Sequence, residues 1–252
     1  MQSVNTLLSV FDPISLAEMD SVKLLDRTDT KFTFNTSKLP GIINMLNDHY
    51  RILEIENTRI TDYETLYFDT LNFELYLRHH NEKLNRYKIR FRKYVNSNLY
   101  FFEIKYKNNK SRTIKSRVAR PQIELNIVES AQKLLEAKTS LTADILLPKL
   151  WVNYSRITFV HKNFEERLTI DLNLTFKDGD NEKKFDSLVI AELKRDKASN
   201  KSPFINIMNT YRIRQNSISK YCLGVTQLFP MIKQNNFKPK ILTLNKILYA
   251  TT

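Results

Sequence analysis

Glycine is scarce in this chain of 252 residues, which contains only Gly41, Gly179 and Gly224. Loops that cradle phosphate with backbone N–H groups need several glycines close together. Neither a GxxxxGK nor a GxGxxG motif is present. This absence excludes a glycine-rich nucleotide loop, so any phosphate that the protein holds must be bound by side chains.

Cysteine and long apolar runs are also in short supply. Cys222 is the only cysteine, so the chain cannot form an internal disulfide, which suits a reducing compartment. Apolar runs such as residues 145–147 are far shorter than the roughly 20 residues that span a bilayer. The first residues include Asp12 and Glu18 and lack the basic and then apolar pattern of a secretory signal. We therefore expect no transmembrane segment and a cytoplasmic location.

Positive charge is abundant by contrast. The chain has 40 Lys and Arg against 27 Asp and Glu, a formal net charge of +13. Such a balance favours nucleic acid, an acidic membrane or a phosphate-rich small molecule as the partner. Because 42% of the residues are hydrophobic, the chain can also bury a sizeable core.

Charged residues recur at every second position in several segments, with apolar residues between them. Lys88, Arg90 and Arg92, for example, alternate with Ile89 and Phe91. The same alternation occurs around Arg27, Asp29 and Lys31, around Glu103 and Lys105, around Arg167 and Asp171, and around Glu192 and Lys194. Side chains alternate between the two faces of a β-strand, so each segment predicts a strand with one apolar and one ionic face.

The pattern along the whole chain predicts an α+β fold with an antiparallel β-tunnel of about eight strands, a basic interior and flanking helices. Predicted strands cover residues 26–34, 63–69, 85–95, 99–107, 150–160, 166–176 and 186–195, and more weakly 111–119. Predicted helices cover 13–25, 37–48 with Ser37 as the N-cap, 71–79, 126–138 and 203–215, which opens on Pro203. We expect a single domain over 1–252, with a core at about 22–225 and a basic tail at 230–252 for which no role is predicted.

A closed barrel would gather the ionic faces inside, because barrel side chains alternate between interior and exterior. The inward set contains eleven cations once three are added from segments of similar character: Arg27, Lys31, Lys88, Arg90, Arg92, Lys105, Arg167, Lys194 and the added Lys115, Arg156 and Lys220. Four carboxylates accompany them: Asp29, Glu103, Asp171 and Glu192. Buried unpaired ions cost several kcal/mol each, so this set favours an oligophosphate ligand. The carboxylates, with Glu192 and Glu103 preferred, would hold a divalent cation that bridges phosphate oxygens.

Two other interpretations stay open. The charged faces can belong to an ordinary half-buried sheet whose ionic side is solvated. Alternatively, basic strands with Tyr87, Tyr94 and Tyr100 nearby suit contacts with a nucleic-acid backbone and base stacking. That second interpretation accounts for the cations but not for Glu103 and Glu192 among them. The four histidines are scattered and have no metal-binding spacing, so we assign them no role.

Seven motifs occur in a recognisable order along the chain. They are DYETLYFDT at 62–70, KIRFRKY at 88–94, FEIK at 102–105, NYSR at 153–156, RLTID at 167–171, AELK at 191–194 and SKY at 219–221. This order resembles the VTC-type polyphosphate polymerase domain, a branch of the triphosphate tunnel metalloenzymes related to CYTH domains. The resemblance covers about residues 22–225.

The resemblance implies a β-tunnel that acts on tri- or polyphosphate or on a nucleoside triphosphate with Mg²⁺ or Mn²⁺, and the VTC branch makes polyphosphate from ATP. It implies catalytic roles for Lys31, Arg90, Arg92, Lys105, Arg156 and Arg167. Phosphate binding is expected of Arg27, Lys88, Lys115, Lys194 and Lys220. The expected metal ligands are Glu192, the principal one, with Glu103, Asp171 and Asp29.

The chain departs from the family pattern at two places. Many tunnel enzymes have two glutamates before the first lysine, where this chain has Arg27 and Asp29, which suits the VTC branch better than a CYTH-type triphosphatase. Related polymerases tend to have lysine where this chain has Ser217, and Arg212 or Arg214 are candidate substitutes.

Three functions follow from the sequence as hypotheses. The leading one is an ATP-dependent polyphosphate polymerase. An inorganic triphosphatase or polyphosphatase of the same fold is the first alternative. A non-catalytic module that binds polyphosphate or nucleic acid is the second, although we expect no DNA partner.

Overall fold

The computed structural model describes residues 4–21, 27–110, 112–163, 165–196 and 201–249. Within these ranges the strands are β1 Pro13–Ile14, β2 Arg27–Asn35, β3 Tyr50–Leu53, β4 Ile60–Asp69, β5 Arg86–Tyr94, β6 Leu99–Lys107, β7 Thr113–Arg120, β8 Leu147–His161, β9 Glu166–Asp178, β10 Asn181–Phe185, β11 Leu188–Asp196 and β12 Gln215–Asn216. The helices are α1 Val4–Leu8, α2 Leu16–Ser21, α3 Leu39–Leu46, α4 Glu74–His80, α5 Glu129–Lys138, α6 Pro203–Thr210, α7 Lys220–Leu228 and α8 Lys238–Leu248. Short 3-10 helices cover Thr36–Lys38 and Asn235–Phe237.

All the strands belong to one sheet, which is antiparallel except where β1 runs parallel to β3. Its main path is β12-β2-β11-β9-β8-β4-β5-β6-β7. Among the described residues no strand pairing joins β7 to β12, so the sheet is not closed. The α+β class with flanking helices is confirmed, whereas the expected closure and the expected number of strands, eight against twelve, are wrong.

The additional strands are short: β3 and β10 pair with the long strands β8 and β9, whereas β1 pairs with β3 and β12 pairs with β2. β8 has 15 residues and pairs with β4 up to Ile157 and with β3 at its far end, from Phe159 to His161. β9 similarly pairs with β11 along its first half and with β10 along its second. Segments of two to five residues carry too few alternations to be recognised as strands from their sequence.

A β-bulge in β9 moves its apolar residues from one face of the sheet to the other. The register of β8 with β9 shifts at Asn153 and Ser155, and Asn173 in β9 has a φ of 53°. Leu172 therefore packs in the cluster on the outer face, whereas Leu174 packs in the cluster on the inner face. One inserted residue is enough for this change because the side-chain period of a strand is two.

The outer, apolar face of the sheet is covered by helices, as its alternating pattern predicts. Residues of β2, β8, β9 and β11 form one buried cluster with α1, α3 and α6. Residues of β4, β5 and β6 form a second with Ala131 and Leu135 of α5. The inner face is partly occupied by α7, whose Tyr221 and Val225 pack against Leu150 and Phe176. The ionic residues lie on this same inner face, where Lys220 at the start of α7 pairs with Asp171 of β9.

Three predicted helices have different ends in the structure, because residues near those ends form caps or strand pairs instead of helical hydrogen bonds. The side chain of Asn35, not of Ser37, accepts the hydrogen bond that caps the 3-10 helix before α3. The helix predicted over 13–25 is shortened to α2 by the strand β1, and residues 22–26 lie outside the described residues. α6 begins at Pro203 as predicted but ends at Thr210, and residues 215–216 pair with β2 instead.

The basic tail forms a helix that packs on the domain. α8 buries Leu244 in the inner-face cluster, and Phe237, Ile247 and Leu248 pack against the same cluster. The tail is therefore part of the folded unit, which its composition did not indicate. None of the helices in the described parts of the chain has both the length and the apolar character needed to cross a bilayer.

Candidate functional site

The ionic residues of neighbouring strands lie on one face of the sheet, because register partners on adjacent strands point to the same side. Lys31 of β2 is opposite Glu192 of β11, and Arg90 of β5 is opposite Glu103 of β6. The remaining partners across this face are Asp29 with Lys194, Lys194 with Arg167, Asp171 with Arg156, and Lys88 with Lys105, which is opposite Lys115. The strand register therefore places these side chains on one face of the sheet.

The first group on this face is built around Glu103, which is fully buried. Arg90 donates to one Glu103 carboxylate oxygen from Nε at 2.8 Å and from Nη2 at 2.5 Å, and Lys115 pairs with the other oxygen. The Nη1 group of Arg90 donates to the hydroxyl of Tyr67 at 2.9 Å. Burial alone would raise the pKa of Glu103, but the charges of Arg90, Arg92 and Lys115 outweigh it and lower that pKa. Glu103 is therefore an anion, and it fixes the orientation of Arg90.

The second group is built around Asp171, which is also buried. Arg156 donates from Nε at 2.6 Å and from Nη2 at 2.8 Å to its two oxygens, and Lys220 pairs with Oδ2. Burial opposes the negative charge, but Arg156 and Lys220 outweigh it and lower the pKa of Asp171 to about 2. The ring of Tyr154 lies 5.3 Å from the Arg156 guanidinium and 4.5 Å from the Lys220 ammonium.

Arg92 is held by aromatic rings rather than by a carboxylate. Its guanidinium lies 5.1 Å from the ring of Tyr63 and 5.8 Å from that of Tyr154, and Nε donates to Thr65 Oγ1 at 3.3 Å. Arg92 is 7% exposed, and no ion pair of it is found within the described residues. A buried guanidinium stacked on tyrosines is oriented but not neutralised.

The tyrosines under these arginines were missed by the sequence reasoning. Tyr63, Thr65 and Tyr67 alternate along β4 and so share one face, which is the signal that would have identified them. Ser219 was missed as well, although the Nζ of Lys88 donates to its Oγ at 2.9 Å.

Glu192 lies at the β2 side of the face. Lys194 donates to its Oε1, and burial is outweighed by Lys194 and Lys31, which lower the pKa of Glu192. Arg167 differs from the other predicted cations because its Nη2 donates to the main-chain carbonyl of Met19 in α2 at 3.0 Å. The side chain of Arg27 lies outside the described residues.

A cavity of about 600 Å³ lies between the two ends of the open sheet. Its wall includes Asp29 and Lys31 from β2, and Arg86, Lys88, Lys105 and Lys107 from β5 and β6. Loop and helix residues complete it: Glu82, Ser217, Ile218, Ser219, Cys222, Lys240, Ile241 and Leu244 among them. Because strands from both ends of the path line one cavity, the sheet curves far enough to bring them together.

The lysines of this cavity form no ion pair with a carboxylate in the part of the chain that the structure describes. Within the described residues no ion pair involves Lys31, Lys88, Lys105, Lys107 or Lys240. Burial, together with the charges of Lys31 and Arg90, lowers the pKa of Lys88. The charge of Arg90 is the largest of the causes that lower the pKa of Lys105, followed by burial and Arg92. Repulsion of this kind favours an anionic ligand.

The predicted site is therefore divided between two environments. Asp29, Lys31, Lys88 and Lys105 line the cavity, whereas Arg90, Glu103, Arg156 and Asp171 form closed ion pairs on the same face. Arg212 and Arg214 are exposed and do not line the cavity, so the structure does not support them as substitutes for a lysine at position 217.

The carboxylates that the structure describes do not gather into one metal-binding cluster. No group of three or more His, Cys, Asp or Glu side chains suited to a metal occurs in the described residues. Glu103, Asp171 and Glu192 are instead each paired with cations. Mg²⁺ is commonly bound by one or two carboxylates together with phosphate oxygens of the substrate, so an ionised Glu192 beside the cavity lysines fits that mode by its donor type.

Residues 26–229 match the family model of the VTC domain. The match spans most of the chain, so the chain belongs to the VTC domain family, and the resemblance drawn from the seven motifs is confirmed.

Several solved structures are similar to this chain at low identity. HpAC1 from Hippeastrum, described as having a dominant triphosphatase activity, has 12% identity and a TM-score of 0.49, over 79% of this chain and 96% of its own. A candidate adenylate cyclase from Vibrio parahaemolyticus has 13% identity and a TM-score of 0.48, over 79% and 98% of the two chains. The PH1819 protein of Pyrococcus horikoshii OT3 has 14% identity and a TM-score of 0.47, over 81% and 99%. None of the curated proteins that were compared matches the chain.

Proposed function

We propose that this protein is a metal-dependent polyphosphate polymerase that transfers the γ-phosphoryl group of ATP to a growing polyphosphate chain. The observation that carries the proposal is the set of lysines around the cavity that have no carboxylate partner within the described residues. Membership of the VTC family supports the same substrate class.

The cavity lysines suit a chain of phosphates better than a single anion. Lys31 and Lys88 come from strands at opposite ends of the sheet path, and Lys105 and Lys107 follow along β6. Each ammonium is a compact charge on a flexible stem, so several of them can follow the oxygens of a linear polyanion. Burial is the main cause of the lowered pKa of Lys88, and the charge of Arg90 is the main cause for Lys105; a bound oligophosphate would favour the charged form of both lysines.

The guanidinium groups of the arginines are held in fixed orientations, in contrast to the flexible side chains of the cavity lysines. Arg90 is held by hydrogen bonds to Glu103 and Tyr67, and the Arg92 guanidinium lies beside the stacked rings of Tyr63 and Tyr154. Phosphoryl transfer needs mainly positioning and neutralisation of charge on the transferred group. Guanidinium groups that need no reorganisation are suited to that task.

Glu192 would hold the Mg²⁺ or Mn²⁺, and the metal would neutralise charge on the phosphate oxygens during transfer. Lys194 donates to Glu192 and, together with Lys31, keeps its carboxylate ionised. A phosphate acceptor is already an anion at neutral pH, so this reaction does not require a general base to create the nucleophile.

Incubation of the purified protein with ATP and Mn²⁺ tests the proposal. We expect a ladder of long polyphosphate on a gel, and we expect Glu192→Gln to abolish its formation without changing the melting temperature of the protein. Glu182→Gln is the matched control, because Glu182 is an ion-paired glutamate on β10 that does not line the cavity. Full activity of Glu192→Gln would refute the metal role. Release of orthophosphate without any chain would instead identify the triphosphatase alternative.

A further inference from the structure

The C-terminal segment lies outside the family match but is fixed to the domain at several points. The match ends at residue 229, and the described chain continues to 249. Asn236 donates from its backbone N–H to Nε2 of His80 at 3.1 Å and from Nδ2 to the His80 carbonyl at 2.9 Å. At the other end of the segment, Asn35 Nδ2 donates to the carbonyl of Ile247 at 2.9 Å. These contacts hold α8 between α4 and β2, next to the cavity.

One lysine of α8 differs in position from the other two. Lys240 is half-buried and lines the cavity together with Ile241 and Leu244. Lys238 and Lys246 are exposed and do not line it. The ammonium of Lys240 lies 5.4 Å from the ring of Phe237, which is also part of the cavity wall.

The charge of Lys240 adds to an excess that the strands already create. The cavity wall contains six cationic side chains and two carboxylates: Lys31, Arg86, Lys88, Lys105, Lys107 and Lys240 against Asp29 and Glu82. Within the described residues Lys240 takes part in no ion pair. The sixth positive charge increases the electrostatic repulsion in the ligand-free cavity, and a bound polyanion would relieve that repulsion.

We propose that Lys240 binds phosphate groups of the substrate, so that α8 is a wall of the oligophosphate site and not an appendage. This inference rests on the proposed substrate class, but it does not depend on whether the acceptor is phosphate or water. Lys240 extends the row of cations beyond the strands and thereby strengthens the binding of oligophosphates at this end of the cavity.

Isothermal titration of the full chain with sodium tripolyphosphate, in the absence of metal, tests the assignment. We expect Lys240→Ala to weaken binding about tenfold, which is typical of the loss of one charge-assisted contact. Lys246→Ala removes the same charge from an exposed position of the same helix, and we expect it to change the affinity less than about twofold. Lys240→Met keeps the aliphatic stem against Phe237 and should weaken binding as much as alanine does. Melting temperatures of all variants show whether α8 remains folded.

The outcomes separate this inference from the function on which it rests. If the wild-type protein binds tripolyphosphate and Lys240→Ala binds it equally well, the role of Lys240 is refuted while the proposed substrate stands. Equal weakening by Lys246→Ala also refutes it, because the effect is then one of net charge. If the wild-type protein binds no tripolyphosphate, both the substrate class and the role of Lys240 are refuted. Selective weakening by both Lys240 variants supports the inference even if the protein makes no polyphosphate.

Discussion

At the scale of single residues, the cationic side chains lie in two different electrostatic environments. Arg90 and Arg156 are neutralised by buried carboxylates. Lys88 and Lys105 are crowded by other cations, and their pKa values are lowered. A lysine whose pKa is lower in the folded than in the unfolded state destabilises the fold while it is charged. The ligand-free protein therefore gains stability as the pH rises from the folded pKa toward the unfolded value of about 10.4.

Binding of tripolyphosphate should raise the lowered pKa values of these lysines, so the protein should take up protons when it binds the ligand. The polyanion favours the charged form of Lys88, so its pKa rises on binding and the fraction that was neutral becomes protonated. We expect more protons to be taken up per mole of ligand at pH 9 than at pH 7. Titration calorimetry in two buffers with different ionisation enthalpies measures this number. The variant Lys88→Met is the control for protons that the ligand itself exchanges, and it should take up fewer protons on binding than the wild-type protein. Equal uptake by the two proteins would contradict the lowered pKa of Lys88.

At the scale of elements, the packing of α7 on the inner face depends on Gly224. A Cβ atom at this position would lie 2.5 Å from Leu150 Cδ2 and 2.7 Å from Phe176 Cδ1, and both side chains are fully buried. α7 begins with Lys220, which pairs with Asp171, so the distance of this helix from the sheet also sets the reach of a site residue.

Gly224→Ala is therefore expected to destabilise the protein, although alanine is the better helix former. The gain in helix propensity is about 1 kcal/mol. Overpacking a full core costs about 1–3 kcal/mol, so the balance is unfavourable. Urea denaturation measures the change in the free energy of unfolding. The double variant with Leu150→Ala removes the clashing methyl group, and its destabilisation should be smaller than the sum of the two single changes. Additive effects would show that α7 can shift freely.

The elements that the sequence predicted well are those with several complete alternations. β5, β6 and β11 were predicted within about two residues at each end because charged and apolar residues alternate along them. The bulge at Asn173 and the two-residue strand β12 depend on contacts with other strands and leave no local pattern. The same reason explains why Lys240 was missed, since nothing in its neighbourhood along the chain shows that α8 reaches the cavity.

At the scale of the whole molecule, the net charge of +13 attracts any polyanion, so selectivity must come from the shape of the site. The solvated-sheet interpretation is wrong for the central residues, because Arg90, Arg92, Glu103 and Asp171 are buried. Cations buried in this way cannot all contact the backbone of a nucleic-acid duplex, so we expect duplex DNA to bind more weakly than the proposed phosphate chain.

Thermal melting with each ligand distinguishes these partners. Tripolyphosphate at 100 times its dissociation constant should stabilise the protein by about 2.7 kcal/mol, which corresponds to a rise in melting temperature of about 5–11 °C for a chain of this size. Duplex DNA at the same concentration of phosphate groups should give a smaller shift that disappears at higher salt. Stabilisation by DNA and not by tripolyphosphate would favour a nucleic-acid surface.

The packing of α8 on the domain also determines which truncated fragments can fold. A segment trimmed to the family match, residues 26–229, would retain the nine-strand path of the sheet. It would, however, remove the ring of Phe237 from Tyr76 and the side chain of Leu244 from the inner-face cluster, and Leu8 would be lost from the opposite cluster. The hydrophobic core therefore includes residues on both sides of the family match. A fragment that ends at residues 26 and 229 would expose apolar surface that is buried in the full chain, and we expect it to aggregate.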